Sequence, residues 1–372
     1  MLTHTNQTTS LGWEPAVAGV PSLPALVPTR VWWSRLAILS TLHSLMSMRE
    51  RFSMAEGQEL LVRKDMKRVV ARLHEEETKV EPYRDDYRRL LDNHGKMIRA
   101  AMVVLFARAC GPTRESVDES VITGAAAIEM LHLATLVHDD VLDDAPIRRK
   151  QPTVHTTRGN KAAIYLGDLI LSRYMEIMAG IAPDTDFIRE QAGTVCEIVG
   201  GELYQESGRH HTDITVDYYD KAISGKTAAL FRLACLTGIR LSSPRPDNRM
   251  EEAARAFGGN LGMAFQIIDD INDFDLGKDT GKPKLEDIRD GIYTLPVLLG
   301  LRKDRGFRSV IESDSPEEVL GYLQAHPELL EESRQTARTY LGRADQALEG
   351  SPLNEDVRNL LGEMVTALTR QV

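Results

Sequence analysis

The chain has 372 residues, enough for two average domains or for one large helical domain. Its formal net charge is −10, from 45 Lys and Arg against 55 Asp and Glu, which excludes a protein that coats nucleic acid, because such proteins need a basic surface. The cysteines Cys110, Cys196 and Cys235 lie far apart, which excludes CxxC motifs and a disulfide framework and favours a reducing, cytoplasmic setting.

Residues 1–53 differ in composition from the rest of the chain. The only acidic residue before position 50 is Glu14, and the apolar segment from Val31 to Met48 is interrupted by basic side chains, which makes it a poor membrane span. Three interpretations stay open: a targeting peptide, an amphipathic helix on a membrane surface, or a translation start at Met46, Met48 or Met54. We therefore expect a leader over residues 1–53 and one domain over residues 54–372.

From Met54 onward, apolar residues recur at three- and four-residue spacing, which predicts helices, and the alternation typical of strands is scarce. Breaks in the pattern fall at Gly111-Pro112, Ala182-Pro183, Ser242 to Asp247 and Gly281 to Pro283. Ser315, Pro316 and Glu318 match a helix start, with Ser as N-cap, Pro in the first helical position and Glu in the third. Because no stretch resembles a flexible linker, the sequence predicts a single all-α domain.

Two aspartate clusters each follow an apolar helix. The first contains Asp139, Asp140 and Asp143, and the second contains Asp269, Asp270 and Asp273. In each cluster the outer two residues lie roughly 40° apart on one helix face. Like charges at this spacing destabilise a helix, and partly buried carboxylates without a counter-ion cost more. One such cluster is usually a solvated helix face, but two after apolar helices predict Mg²⁺ bound by oxygen ligands and completed by water and substrate phosphates.

Basic residues alternate with these clusters along the chain. In chain order they are Lys96, Arg99, Arg148, Arg149, Lys226 and Lys282. Arg binds phosphate through its planar fork and Lys through its compact charge. Each residue alone would be an ordinary surface residue, whereas their order around the acidic clusters predicts an enzyme that binds diphosphates.

These motifs resemble those of the trans-isoprenyl diphosphate synthases, the polyprenyl synthetase family. The segment from His138 to Asp143 with Arg148-Arg149 resembles the family's first aspartate-rich motif, and Gln266 to Asp273 resembles the second. The family's shorter motifs are resembled by Gly167-Asp168, by Gly201-Glu202 with Gln205, and by Lys226-Thr227-Ala228. The resemblance runs from about Gly95 to Pro296. It implies an isoprenoid synthase fold, a single bundle of long antiparallel helices around a deep central cavity, usually in a dimer.

The resemblance also implies an activity. The chain would be a Mg²⁺-dependent prenyltransferase that condenses isopentenyl diphosphate with an allylic diphosphate to give an all-trans polyprenyl diphosphate, with three ions per active site when substrate is bound. Mg²⁺ would be ligated by Asp139, Asp143 and Asp269, with Asp140, Asp270 and Asp273 in support and Asp273 also a candidate ligand. The allylic diphosphate would be held by Arg148, Lys226, Thr227, Gln266 and Lys282. The diphosphate of isopentenyl diphosphate would be held by Lys96, Arg99, His132 and Arg149, although a buried core histidine is the plain alternative for His132.

The family pattern also predicts product length and shows two departures. The residues one to three turns before Asp139 would line the cavity floor: Ile128, Leu131, Ala134 and Thr135. Since Ala134 and Thr135 are small where a large aromatic residue stops growth at short products, we expect products of C20 or longer and peripheral membrane contact for so long a product. The departures are Lys150, where the family often has Gly, and Ile292, in a segment where many members have a Lys before Thr-Leu-Pro.

Three other functions are compatible with parts of the sequence. A class I terpene cyclase has the same fold but does not need a second diphosphate site. A His-Asp metal phosphohydrolase is also all-α, but it leaves the second aspartate cluster unexplained, and its further histidines would have to be His210 and His211. A non-catalytic regulatory subunit should have lost aspartates from one motif, and neither motif is damaged here.

Overall fold

The computed structural model describes residues 55–110, 116–243, 246–275, 284–313 and 315–372. The leader expected over residues 1–53 lies outside these residues. The breaks expected at Gly111-Pro112 and at Gly281 to Pro283 also lie outside them, as does Lys282. These expectations stay predictions.

Helices make up almost all of the regular structure in the described residues, which confirms the all-α prediction. The helices of the first half are α1 (Ala55–Glu75), α2 (Arg84–Asp92), α3 (Ile98–Ala109), α4 (Glu119–Leu142), α5 (Val154–Arg158), α6 (Asn160–Ile181) and α7 (Thr185–Ser207). Those of the second half are α8 (Val216–Ile223), α9 (Ala229–Ser242), α10 (Asn248–Asp273), α11 (Glu286–Arg289), α12 (Leu295–Lys303), α13 (Phe307–Ile311), α14 (Pro316–Ala325), α15 (Pro327–Leu348) and α16 (Glu355–Thr369). A 3₁₀ turn (Glu76–Lys79) follows α1, and a π-helical turn (Ser224–Ala228) joins α8 to α9.

A short β-hairpin was not predicted from the sequence. Strands β1 (Ile147–Arg148) and β2 (Gln151–Pro152) form a short antiparallel hairpin after α4. Arg149 and Lys150 form its turn with φ angles of 49° and 65°. A glycine adopts this left-handed conformation without steric cost, which gives a physical reason for the glycine that the family often has in place of Lys150.

Helix α4 is the centre of the bundle. It packs against α1, α3, α6 and α9, and its residues Ile122, Ile128 and Met130 are fully buried. By length and composition it could cross a membrane, but 61% of its most apolar window is buried inside the fold. A helix that is apolar on all sides is expected in such a core position.

Side-chain caps mark helix starts that follow breaks predicted from the sequence, at positions within the described residues. The carboxylate of Asp184, after Ala182-Pro183, accepts a hydrogen bond from the backbone amide of Phe187 at 2.8 Å and caps α7. Asp247 caps α10 in the same way. The hydroxyl of Ser315 accepts a hydrogen bond from the backbone amide of Glu318 at 3.3 Å, which confirms the predicted start of α14.

The order of the helices brings the two aspartate clusters to one end of the bundle. Helix α9 packs against both α4 and α10, and the π-helical turn before α9 contacts α7 and α10. The first cluster lies at the C-terminal end of α4 and the second at the C-terminal end of α10. Lys226, in the π-helical turn, is therefore placed near both clusters.

Candidate active site

In the first aspartate cluster, one carboxylate is paired with another side chain of the protein and the other two border the site. Asp140 is buried and forms an ion pair with Arg148 of the β-hairpin. Burial raises the pKa of Asp140, although the Arg148 guanidinium opposes the shift. Asp139 is half-buried, and Asp143 is exposed directly after the last residue of α4. The hairpin that was not predicted therefore has a role: it carries the arginine that fixes Asp140.

The second cluster has the same division. Asp270 is buried, and its two carboxylate oxygens accept hydrogen bonds from the Tyr219 hydroxyl at 2.5 Å and from the Gln266 amide at 2.7 Å. The Thr227 hydroxyl donates in turn to the side-chain oxygen of Gln266 at 2.5 Å. Burial raises the pKa of Asp270, and the two hydrogen bonds oppose this shift. Asp269 is exposed at the site.

Asp273, the last residue of α10, also has a structural contact. One of its carboxylate oxygens accepts a hydrogen bond from the backbone amide of Leu285 at 3.0 Å. This contact fixes the start of α11 against the end of α10. The roles predicted for Asp273, in support of the metal or as one of its ligands, stay predictions.

Lys226 connects the two clusters. Its ammonium lies 3.1 Å from a carboxylate oxygen of Glu202 on α7. Burial alone would lower the pKa of Lys226, but Glu202 and Asp139 outweigh burial and raise it. The charge of Lys226 in turn acts on Asp139 and on Asp270, so both motifs face the same cation. The π-helical turn that holds Lys226 is a distortion often found at functional sites.

The Asp139 carboxylate, like that of Asp270, is destabilised in its ionised form by its surroundings. Burial raises its pKa to about 7; Lys226 opposes this shift, and the negative charges of Glu202 and Asp143 add to it. A bound cation would remove this cost, and the donor set is all oxygen, so the residues fit Mg²⁺. In the described residues no three acidic, His or Cys side chains converge closely enough to enclose an ion. Water and diphosphate oxygens would have to supply the remaining ligands.

His138 is oriented by the Gly167-Asp168 pair of α6, a role that the sequence did not reveal. The His138 Nε2 atom lies 3.2 Å from a carboxylate oxygen of Asp168. A β-carbon at Gly167 would lie 2.4 Å from the same nitrogen, so only glycine leaves room for the ring. Since His138 directly precedes Asp139, this contact fixes the last turn of α4. The GD motif itself was the signal that could have indicated it.

A second group of basic residues lies around Arg99 and Arg149. The Arg99 guanidinium lies over the Phe231 ring, 4.6 Å from its centre, and its Nε atom is buried with no hydrogen-bond partner among the described residues. Burial lowers the pKa of Arg99 to about 10; Glu129 opposes this shift and Arg149 adds to it. Burial also lowers the pKa of Arg149. Two partly desolvated guanidinium groups of this kind would be stabilised by an anion.

The remaining contacts of this second group are as follows in the structure. Arg149 donates a hydrogen bond to the backbone oxygen of Asn93 at 2.9 Å. Lys96 is exposed and His132 is half-buried. Glu129, which sequence reasoning missed, accepts a hydrogen bond from the backbone amide of Ala100 at 3.0 Å. The sequence held a signal for Glu129, because it is the only acidic residue of α4 between Glu119 and Asp139.

The residues predicted to set product length follow α4 into the bundle. Ile128, Leu131 and Ala134 are buried. Thr135 is half-buried, and its hydroxyl donates to the backbone oxygen of His132 at 2.9 Å. The small side chains thus lie on the buried part of the helix that ends at Asp139.

A small cleft of about 50 Å³ lies beside the second cluster. Its lining includes Lys226, Gln266, Asp270, Ile292 and Tyr293. The apolar Ile292, which stands in the segment where many family members have a lysine, therefore borders the same cleft as Lys226. The site has one cation fewer at this position than the family pattern.

The chain also matches a known protein family. The family model described as polyprenyl synthetase matches residues 81–322. This range includes both aspartate clusters, Lys226 and the second basic group.

Individual relatives agree. Over 213 residues the chain is 38% identical to an all-trans-nonaprenyl-diphosphate synthase (geranyl-diphosphate specific) of Rhodobacter capsulatus. That match covers 57% of this chain and 63% of the relative, less than two thirds of its length. Over 283 residues it is 34% identical to heptaprenyl diphosphate synthase component 2 of Geobacillus stearothermophilus, covering 74% of this chain and 85% of the relative. The crystal structure of a polyprenyl synthase from Caulobacter crescentus, complexed with calcium and isoprenyl diphosphate, superposes with a TM-score of 0.73 at 28% identity, covering 87% of this chain and all of that one.

Proposed function

Because this chain belongs to the polyprenyl synthetase family, we propose that it is a Mg²⁺-dependent prenyltransferase that adds isopentenyl diphosphate to an allylic diphosphate. One arrangement carries the proposal: Lys226 borders the same cleft as Asp270 and its charge acts on Asp139, while Arg99 and Arg149 form a second cationic group. A condensation of two diphosphates needs two such anion sites. A reaction of a single diphosphate would leave the second group without a role.

The proposed ligands follow from the division of each cluster. Asp139, Asp143 and Asp269 are the proposed Mg²⁺ ligands, because Asp140 and Asp270 are bound by protein groups. Up to three ions are proposed per site with substrate bound. Lys226, Thr227, Gln266 and Arg148 are proposed to hold the allylic diphosphate.

The chemistry then depends mainly on binding, orientation and exclusion of water. Bound Mg²⁺ would supply charge neutralisation at the leaving diphosphate. Lys226 donates to the same group, and the buried bundle keeps water from the allylic carbocation once the C–O bond has broken. Arg99 and Arg149 orient isopentenyl diphosphate so that its double bond attacks the cation. The proton lost after attack passes to the departing diphosphate, so no nucleophilic Ser, Cys or His is required.

We propose products of C20 or longer, because the side chains of Ala134 and Thr135, on the part of α4 that precedes the first cluster, are small. A product of that length is proposed to bring the enzyme to a membrane surface from the cytoplasm. Co-sedimentation with phospholipid vesicles, measured before and after turnover, tests this part of the proposal. Unchanged sedimentation after product has accumulated would contradict it.

A homodimer is proposed from the surface of α6 and α7. These two successive helices expose large apolar side chains that no described residue covers: Ile164 and Tyr165 on α6, and Val199 and Leu203 on α7. Monomeric proteins rarely expose contiguous apolar surface of this kind, and a two-fold axis would pair the surface with its own copy. One relative is named as component 2 of its synthase, so a different partner subunit is the alternative outcome.

The direct test is incubation of the protein with isopentenyl diphosphate, Mg²⁺ and C5, C10, C15 or C20 allylic diphosphates. We expect diphosphate release and chain elongation only when both substrates are present. Cyclic hydrocarbons formed without isopentenyl diphosphate would instead indicate a terpene cyclase. Phosphate release from monoesters without elongation would indicate a phosphohydrolase.

A further inference from the structure

The contact between α7 and the π-helical turn is a backbone contact made by two glycines. A β-carbon at Gly201 would lie 2.2 Å from the backbone nitrogen of Lys226. A β-carbon at Gly225 would lie 2.7 Å from the backbone oxygen of Glu197 and 2.9 Å from the α-carbon of Gly201. At both positions a side chain would keep the two segments apart. The glycines therefore allow α7 and the π-helical turn to come into backbone contact.

A charged residue follows each of these glycines. Glu202 follows Gly201 and Lys226 follows Gly225, and their side chains meet at 3.1 Å. Both side chains are more than two-thirds buried. Because the backbones are in contact, this pair has little freedom to separate.

Glu202 has no role in the chemistry proposed above. The next carboxylate that acts on the ammonium of Lys226 after Glu202 is that of Asp139. Without Glu202, Lys226 would be drawn toward Asp139 and would neutralise a carboxylate needed for the metal. With Glu202 in place, the ammonium is shared between α7 and the first cluster.

We propose that Glu202 is a positioning residue that holds Lys226 for the allylic diphosphate and keeps its ammonium from pairing with Asp139. This inference rests on the function proposed above. It gives a reason for the glycine pair that lets α7 lie so close to the π-helical turn. It assigns a task to the acidic residue of the GExxQ motif in this chain.

The test is binding of inorganic diphosphate in the presence of Mg²⁺, measured by titration calorimetry on the full chain. Glu202→Gln is expected to weaken binding about tenfold, because Lys226 loses its partner and turns to Asp139. Glu197→Gln is the matched control: it lies on the same helix and removes an ion pair, with Arg232 at 2.5 Å, that does not involve Lys226. It is expected to bind diphosphate as the wild type does. In steady-state assays Glu202→Gln should raise KM for the allylic diphosphate and leave KM for isopentenyl diphosphate unchanged.

A double-mutant cycle separates positioning from a general structural effect. In a Lys226→Met background, Glu202→Gln should have no further effect on diphosphate binding. Wild-type affinity in Glu202→Gln, or an equal loss with and without Lys226, would overturn the inference. If Glu202→Gln does not fold, Glu202→Asp is measured in both backgrounds with the same two criteria. A wild type that binds diphosphate but does not elongate would contradict only the proposed function.

Discussion

At the scale of single residues, the second aspartate of each motif differs from its neighbours. Asp140 is held by Arg148, and Asp270 by Tyr219 and Gln266, so both belong to the walls of the site. The first aspartates, Asp139 and Asp269, are left for the metal and the substrate. Sequence spacing could place the six aspartates of the two motifs in two clusters. It did not reveal which groups hold Asp140 and Asp270, because Arg148 reaches Asp140 through the β-hairpin and Tyr219 reaches Asp270 from another helix.

Asp139 gives the metal-free protein a specific pH dependence. Its folded pKa of about 7 lies above its ordinary value of 3.8, so between these values the folded chain holds a proton that the unfolded chain has lost. The free energy of unfolding should therefore fall as pH rises from about 4 to 7. We expect Asp139→Asn to lose this contribution. Thermal unfolding in chelator from pH 5 to 8 measures it.

Mg²⁺ supplies the control for this titration. It should stabilise the wild type more at pH 8 than at pH 5.5, because it binds the ionised carboxylate. Wild-type and Asp139→Asn stability curves that run parallel in chelator would contradict the assignment.

At the scale of elements, the contact of α9 with α10 fixes the second cluster relative to Lys226. A β-carbon at Gly258 would lie 2.7 Å from the α-carbon of Arg232 and 2.8 Å from the backbone oxygen of Phe231. Gly258→Ala should therefore lower the free energy of unfolding by about 1–3 kcal/mol, as overpacking does. Among the described residues, no atom outside the backbone of its own helix lies within 4 Å of a β-carbon at the adjacent Gly259, so Gly259→Ala should be neutral or stabilise by up to about 1 kcal/mol. Denaturant unfolding of both variants measures these changes in the free energy of unfolding. Equal changes in the two variants would contradict the close packing at Gly258.

Product length belongs to helix α4. Ala134→Phe is expected to shorten the main product, because it places a large ring at a buried position of α4 five residues before Asp139. Ala134→Ser, which keeps the side chain small, should leave the product unchanged. Chromatography of the dephosphorylated products measures this. The same chain-length profile for Ala134→Phe and wild type would show that the floor lies elsewhere.

The elements themselves could largely be predicted from the sequence, because apolar periodicity and caps such as Ser315 are local signals. The π-helical turn and the hairpin could not. The turn depends on the close approach of Gly201 and Gly225, which are distant in sequence. The hairpin has only two residues in each strand, too few to show alternation.

At the scale of the whole molecule, the uncovered surface of α6 and α7 predicts self-association. Leu203, 66% exposed, should tolerate a charge within one chain but not at an interface between copies. Leu203→Glu is therefore expected to convert a dimer into a folded monomer, as measured by light scattering after size exclusion. Leu60→Glu on α1, where the exposure is 67%, is the control and should remain dimeric. A monomeric wild type would contradict the homodimer and favour a different partner.

The fold as a whole followed from the sequence because one buried apolar helix, α4, organises the bundle and ends in the first cluster. The negative net charge of the chain is consistent with a cation-binding site. The six motif aspartates lie where a cation can bind, and the arginines of the site lie near Asp140 and Glu129. The pairing of Glu202 with Lys226 and the desolvation of Arg99 could not be predicted, because both arise from packing between helices.

The central claim is tested most directly by incorporation of labelled isopentenyl diphosphate into a longer allylic diphosphate by the wild type, Asp139→Asn and Asp144→Asn. Asp144 follows the same cluster, but its carboxylate is 94% exposed. We predict elongation by the wild type and by Asp144→Asn, and a rate at least about 10²-fold lower for Asp139→Asn, which lacks a metal-binding carboxylate. A wild type that incorporates no label, or Asp139→Asn at the wild-type rate, would contradict the account.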